Sequence, residues 1–154
     1  MKITLDINGS SHDAQVQPNE LLLNFLRDRG LWSVKHGCET GECGACAVLV
    51  DGKLRNSCIM LAGQSDDCTI TTLEGVGDFE NLHPLQTAFV DCGAIQCGYC
   101  TPAMILAAFA LSKEKNDVTE SDVRDALAGV LCRCTGYIKP VEAVLSVLTT
   151  TNGD

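Results

Sequence analysis

Cys38, Cys43, Cys46 and Cys58 are spaced C-x4-C-x2-C-x11-C, and Cys97, Cys100, Cys132 and Cys134 are spaced C-x2-C-x31-C-x-C. These two quartets hold eight of the ten cysteines in a chain of 154 residues. Thiolates in fours bind zinc or an iron-sulfur cluster, and oxidised thiols pair as disulfides. The redox compartment chooses among these. The opening "MKITLDINGS" has no basic region, apolar core or small-residue cleavage site, so a cytoplasmic location is expected, where clustered thiols stay reduced and bind metal.

The first quartet carries the sharper signal. "HGCETGECGAC", His36 to Cys46, packs three cysteines and three glycines into one loop, and its spacing matches the plant-type ferredoxin run with a distal fourth ligand, which holds a [2Fe-2S] cluster. A loop around such a cluster turns sharply and aims N–H groups at anionic sulfurs, so Gly37, Gly41 and Gly44 are expected where positive φ or close approach is needed. Zinc sites favour two short C-x2-4-C pairs and fit this loop poorly. The second quartet leaves both readings open. Each of its pairs precedes an expected helix, and a helix N-terminus stabilises thiolates for any metal.

The remaining candidates have plainer readings. Cys68 and Cys92 lie outside the quartets and read as small buried hydrophobes. His36 is a loop residue beside a complete thiol set, and His12 and His83 have no partner at ligand spacing. No catalytic residue is expected on this chain, since nothing matches a nucleophile with its base, a phosphate loop or a dinucleotide fingerprint. The net charge of −9, with eleven scattered Lys and Arg, argues against nucleic acid. "AMILAAFAL", Ala103 to Leu111, is too short to span a bilayer, so no membrane span is expected.

Two kinds of element must position these thiols. "KITLDI" and "DAQVQ" alternate around "NGS" and predict a hairpin, and "ACAVLV" and "KLRNSC" predict another around Asp51-Gly52. "PNELLLNFLRDRG" predicts a helix with Pro18 in its first turn and Gly30 at its end, and "TITTLEG" a last strand. Beyond about Gly75 the periodicity becomes helical, with helices expected in "PLQTAFVDCG", "TPAMILAAFALSK", "TESDVRDALAGV" and "KPVEAVLSVLTT". Thr101-Pro102 predicts an N-cap followed by Pro at the first position, and Thr119 with Asp122 approximates a capping box. The division expected is residues 1–76 and 77–154.

"GCETGECGAC", "QCGYCTPAMI" and "LCRCTGY" together resemble the small iron-sulfur subunit of the molybdenum hydroxylases, the xanthine dehydrogenase and aldehyde oxidase family. The resemblance runs over nearly the whole chain, from "INGS" to "TGYIKPVEAV". It implies an α+β chain, with an N-terminal β-grasp ferredoxin-like domain followed by a C-terminal all-α four-helix bundle. It also implies a [2Fe-2S] cluster on the second quartet. Molybdopterin would sit on a large partner subunit and FAD on a medium one, in a hetero-oligomer. Electrons would run from molybdenum through the Cys97–Cys134 cluster and the Cys38–Cys58 cluster to FAD. By the same resemblance Gln96 touches the pterin, and Cys134 is the ligand nearest the pterin amino group. Ala103 and Val130 stand where the family usually has Gly and Asn; neither is a thiol, so effects on helix packing or the subunit contact are expected rather than loss of a cluster.

Two rival functions are distinguishable. A freestanding two-cluster ferredoxin would dock transiently through small polar patches, whereas apolar helices such as Ala103 to Leu111 favour a permanent interface. A zinc staple in the second half would show itself in metal content. The substrate of the complex lies beyond this chain's residues.

Overall fold

A computed structural model of the chain describes residues 1–149. Five strands, β1 (Lys2–Ile7), β2 (Ser10–Gln15), β3 (Ala47–Val50), β4 (Lys53–Asn56) and β5 (Thr69–Thr71), form a mixed sheet in the order β2-β1-β5-β3-β4. β1 and β5 run parallel and the other neighbours antiparallel. Both hairpins turn on two residues in the left-handed region, Asn8-Gly9 and Asp51-Gly52, the conformation such tight turns need. Helix α1 (Leu22–Arg27) buries Leu22, Leu23, Phe25 and Leu26 against Ile3, Leu5, Val48 and Ile70.

Several sequence expectations change at element ends. The first helix spans Leu22–Arg27 rather than starting at Pro18, because Leu21 bridges to Leu61 and Leu22 N–H donates to the Met60 carbonyl at 2.8 Å. Tertiary backbone pairing there outweighs local helix propensity. The strand expected over "KLRNSC" stops at Asn56, and Ser57–Ile59 turns as a 3-10 segment that carries Cys58. "TITTLEG" is extended only to Thr71. Thr72 is tied to Asn8 by two side-chain bonds of 2.9 and 3.0 Å, and Leu73–Gly75 is again a 3-10 turn.

The second half holds α2 (Pro84–Asp91), α3 (Thr101–Glu114), α4 (Glu120–Ala128) and α5 (Ile138–Leu148). The last residue of the stretch "KPVEAVLSVLTT", Thr150, lies outside the described residues. Thr119 and Asp122 form the expected capping box, with Thr119 N–H donating to the Asp122 carboxylate at 2.8 Å. Lys115, followed by Thr119, holds that carboxyl well below its ordinary range. Thr101 is not an N-cap. The first helical bond runs from Met104 N–H to the Cys100 carbonyl at 3.0 Å, which makes Cys100 the capping position and places Thr101 and Pro102 inside the helix. His83, unassigned by spacing, caps α2 by accepting from Leu85 N–H at 3.2 Å.

The two halves share one strand. All four residues of β3 are buried. Val48 and Val50 face the α1 side, Ala47 joins the helical core, and Leu49 packs with Leu106 and Ala110 of α3. A strand covered on both faces reads as a continuous apolar run, which explains "AVLV".

Candidate metal centres

The first quartet is assembled by the loop between α1 and β3 together with the 3-10 turn after β4. Cys46 and Cys58 are buried, and Cys38 and Cys43 are half-buried. Cys38 Sγ accepts from the N–H groups of Cys43 at 3.3 Å and Thr40 at 3.4 Å. Hydrogen bonds from the Thr40 side chain and from the Cys43 and Thr40 backbones hold its thiol down at about 5. Cys58 is pushed the other way, to about 11, by burial and then by its hydrogen bond with Cys46. The loop thus favours the thiolate on Cys38 and disfavours it on Cys58. A bound cation would offset the charge of four thiolates brought together.

Glycine makes the loop possible in two different ways. A Cβ on Gly37 would lie 2.7 Å from Cys43 Sγ, so close approach excludes a side chain there. Gly44 has φ +70°, and a Cβ on it would run into the Gly129 carbonyl and stand 3.0 Å from Val130 Cα. Its bareness serves the contact between the two halves as well as the turn. Gly41, at φ +83°, is the remaining left-handed position of the expected three.

The second quartet lies between α2 and α3 and between α4 and α5. Cys100 is buried at the start of α3, Cys132 is half-buried, and Cys97 and Cys134 are exposed. Burial and a hydrogen bond with Cys132 push Cys100 up to about 12. For Cys132, burial works upward, yet the Thr135 hydroxyl at 3.0 Å and N–H at 3.4 Å prevail and bring it to about 7. Cys134 is raised by its hydrogen bond with Cys97. Tyr137, at φ +67°, braces this loop: its hydroxyl accepts from Cys132 N–H at 2.9 Å and donates to the Val130 carbonyl at 3.1 Å.

The donor set fits a two-iron cluster. Each quartet offers four sulfur donors, the all-thiolate set that a [2Fe-2S] cluster takes. Cys58 interacts with Cys46 and then Cys38, Cys100 with Cys132 and then Cys97, and Cys134 with Cys97 and then Cys132. Four thiolates also suit zinc, and the plant-type spacing of the first quartet is what favours iron-sulfur.

The sequence groups the thiols into two quartets, and each quartet lies on neighbouring loops in the fold; Thr40, Thr135 and Tyr137, which hydrogen-bond to Cys38 or Cys132, were not singled out by it. A hydroxyl two or three positions after a cysteine is the available signal for the threonines. Tyr137 follows Gly136 in a left-handed pair that no periodicity reveals. His36 pairs with Glu39 at 3.2 Å on the surface, a contact of at most about 1 kcal/mol that leaves it a loop residue. Cys68 and Cys92 are half-buried against the first and second cores respectively. Ala103 and Val130 are fully inside the helical core, so their departures from the family pattern bear on packing.

The two loops meet directly. Leu131 N–H donates to the Cys43 carbonyl at 2.9 Å, joining a residue of the first quartet to the neighbour of Cys132. The Tyr99 hydroxyl donates to the His36 carbonyl at 2.6 Å.

Two family models match the chain in succession. Residues 5–72 match the 2Fe-2S iron-sulfur cluster binding domain family, and residues 72–145 match the [2Fe-2S] binding domain family. The nicotinate dehydrogenase small FeS subunit of Eubacterium barkeri is 51% identical over 143 residues, covering 92% of this chain and 91% of that protein. The xanthine dehydrogenase iron-sulfur-binding subunit of Escherichia coli O157:H7 is 44% identical over 145 residues, covering 93% and 91%. Quinoline 2-oxidoreductase from Pseudomonas putida 86 contains a chain that superposes with a TM-score of 0.92 at 38% identity, over 98% of this chain and 94% of that one.

Proposed function

The chain belongs to the family of small [2Fe-2S] subunits of the molybdenum hydroxylases, and from that membership we propose that Cys38, Cys43, Cys46 and Cys58 hold one cluster and Cys97, Cys100, Cys132 and Cys134 the other. When bound, each cluster supplies a reversible one-electron carrier, so the chain is the electron-transfer subunit of a multi-subunit oxidoreductase. The observation that carries this reading is the hydrogen bond from Leu131 to the Cys43 carbonyl, which joins the two thiol loops back to back.

The rest of the chain serves that contact. Thr40, Thr135 and the backbone N–H groups stabilise thiolate charge on Cys38 and Cys132. β3 and α3 keep water from the seam with Ala47, Leu49, Leu106 and Ala110. The finer assignments rest on the family: a β-grasp domain at 1–76, a four-helix bundle at 77–154, a molybdopterin-binding large partner and an FAD-binding medium partner; a cytoplasmic location rests on the character of the first ten residues and the clustered thiols. Among the described residues no helix is long and apolar enough to cross a membrane.

A permanent partner is favoured over transient docking by what surrounds the exposed thiols. Val90, Ile95, Tyr99, Leu131 and Ile138 are large and exposed, and they lie on or beside the segments bearing Cys97 and Cys134. Apolar side chains at that end of the subunit suit the pterin-bearing subunit, with Gln96 as the amide that reaches it. A glutamine both donates and accepts, which suits a pterin edge.

The assembled complex tests this by stopped-flow mixing with the substrate of its molybdenum subunit. Both cluster absorbances are expected to bleach. Gln96→Ala should retain its iron but slow that bleaching or lower molybdenum content, because its loss leaves buried pterin atoms unpaired. Clusters that stay oxidised in the fully loaded wild-type complex would refute the relay. Unchanged rates and full molybdenum in the variant would return Gln96 to an ordinary surface residue.

A further inference from the structure

The two hydrogen bonds that join the thiol loops are attached at different places. The Leu131 bond holds the Cys132–Cys134 loop to Cys43, on the inner side of the first quartet. The Tyr99 bond holds the other loop of the second quartet, between Cys97 and Cys100, to His36, two residues before Cys38. The packing of β3 against α3 already fixes how the halves sit. The two bonds act within that frame, each tying a different loop of the second quartet to the first.

We infer that Tyr99 is a positioning residue, whose hydroxyl latches the helical thiol loop to the entry of the ferredoxin-like loop and thereby sets the distance and orientation between the two clusters. The inference rests on the cluster assignment above. The donor is the phenolic O–H and the acceptor a backbone carbonyl, so phenylalanine preserves the ring and removes only the latch. Tyr99 is 45% exposed, so in the free subunit water competes for this bond, and covering by a partner strengthens it. His36 contributes its backbone carbonyl, so its own side chain is dispensable to the latch.

Electron tunnelling falls steeply with distance, and the magnetic interaction of two reduced clusters depends on both distance and orientation. Both are therefore sensitive to a latch that a merely structural hydroxyl would leave unaffected. The experiment compares wild type, Tyr99→Phe and His36→Ala, each with metal content determined. Tyr99→Phe is expected to keep full iron and sulfide, yet to show a changed spin-spin splitting in the reduced EPR spectrum. Hydrogen exchange over residues 36–43 should rise about two- to ten-fold, the range for losing one hydrogen bond. His36→Ala is expected to match wild type in the splitting, because the latch uses only its backbone carbonyl. Identical splitting and exchange in wild type and Tyr99→Phe would overturn the latch. If wild type itself shows fewer than two clusters, the cluster assignment is what fails, and the two failures are thus distinguishable.

Discussion

Gly44→Ala is expected to be the most damaging Gly→Ala change among the described residues, lowering stability by about 3 kcal/mol or more and reducing the occupancy of both clusters. Two costs combine. A non-glycine residue at φ +70° carries a left-handed penalty of roughly 1–2 kcal/mol. The added Cβ also collides with the Gly129 carbonyl and stands 3.0 Å from Val130 Cα, all backbone atoms that cannot rotate away, and overpacking of that sort costs about 1–3 kcal/mol. Relief requires the halves to separate, which stretches the bond from Leu131 to Cys43. Gly52→Ala is the control, because Gly52 has φ +76° with nothing near its Cβ position. It should show only the conformational cost. Urea midpoints for the two variants isolate the collision, and equal midpoints would show that the seam yields freely.

Cys100→Ala is expected to halve the iron, from about four atoms per chain to about two, while the signal of the ferredoxin-like cluster survives. The residue is 7% exposed and belongs to the helical core at the capping position of α3, so no water or neighbouring side chain readily replaces it. Losing the cluster also removes binding energy that stabilises the helical half, since metal binding and folding are coupled. The thermal transition of that half should fall well below that of the wild type. Metal analysis with EPR of the reduced variant decides the matter; a full complement of iron would mean that Cys100 is not a ligand. The contrast with Gly44→Ala is informative, since a seam variant touches both clusters and a ligand variant one.

Much of this was legible from residue types and short spacings. Asn8-Gly9 and Asp51-Gly52 announce their hairpins because few residues tolerate both left-handed positions. The box formed by Thr119 and Asp122 is a local hydrogen-bond pattern that three-residue spacing encodes. The quartets could be read because the first sets three close cysteines against one distant one and the second sets one close pair against another. What escaped depends on distant chain segments meeting. The first helix is short because Leu21 and Leu22 pair with a segment about forty residues away, which no local propensity encodes. The bond from Tyr99 to His36 spans 63 residues. The two-sided burial of β3 looks, in sequence, like any apolar run. Gly44 stood out as a turn glycine, yet its contact with Gly129 is a property of the assembled halves.

The central claim is that one chain holds two [2Fe-2S] clusters close together, and EPR of the intact, dithionite-reduced protein tests it most directly. The account predicts two distinguishable signals, each integrating to about one spin per chain, with broadening that betrays their mutual interaction, in a sample carrying about four irons and four sulfides. A single signal from a fully loaded preparation, or stoichiometric zinc in place of half the iron, would contradict it.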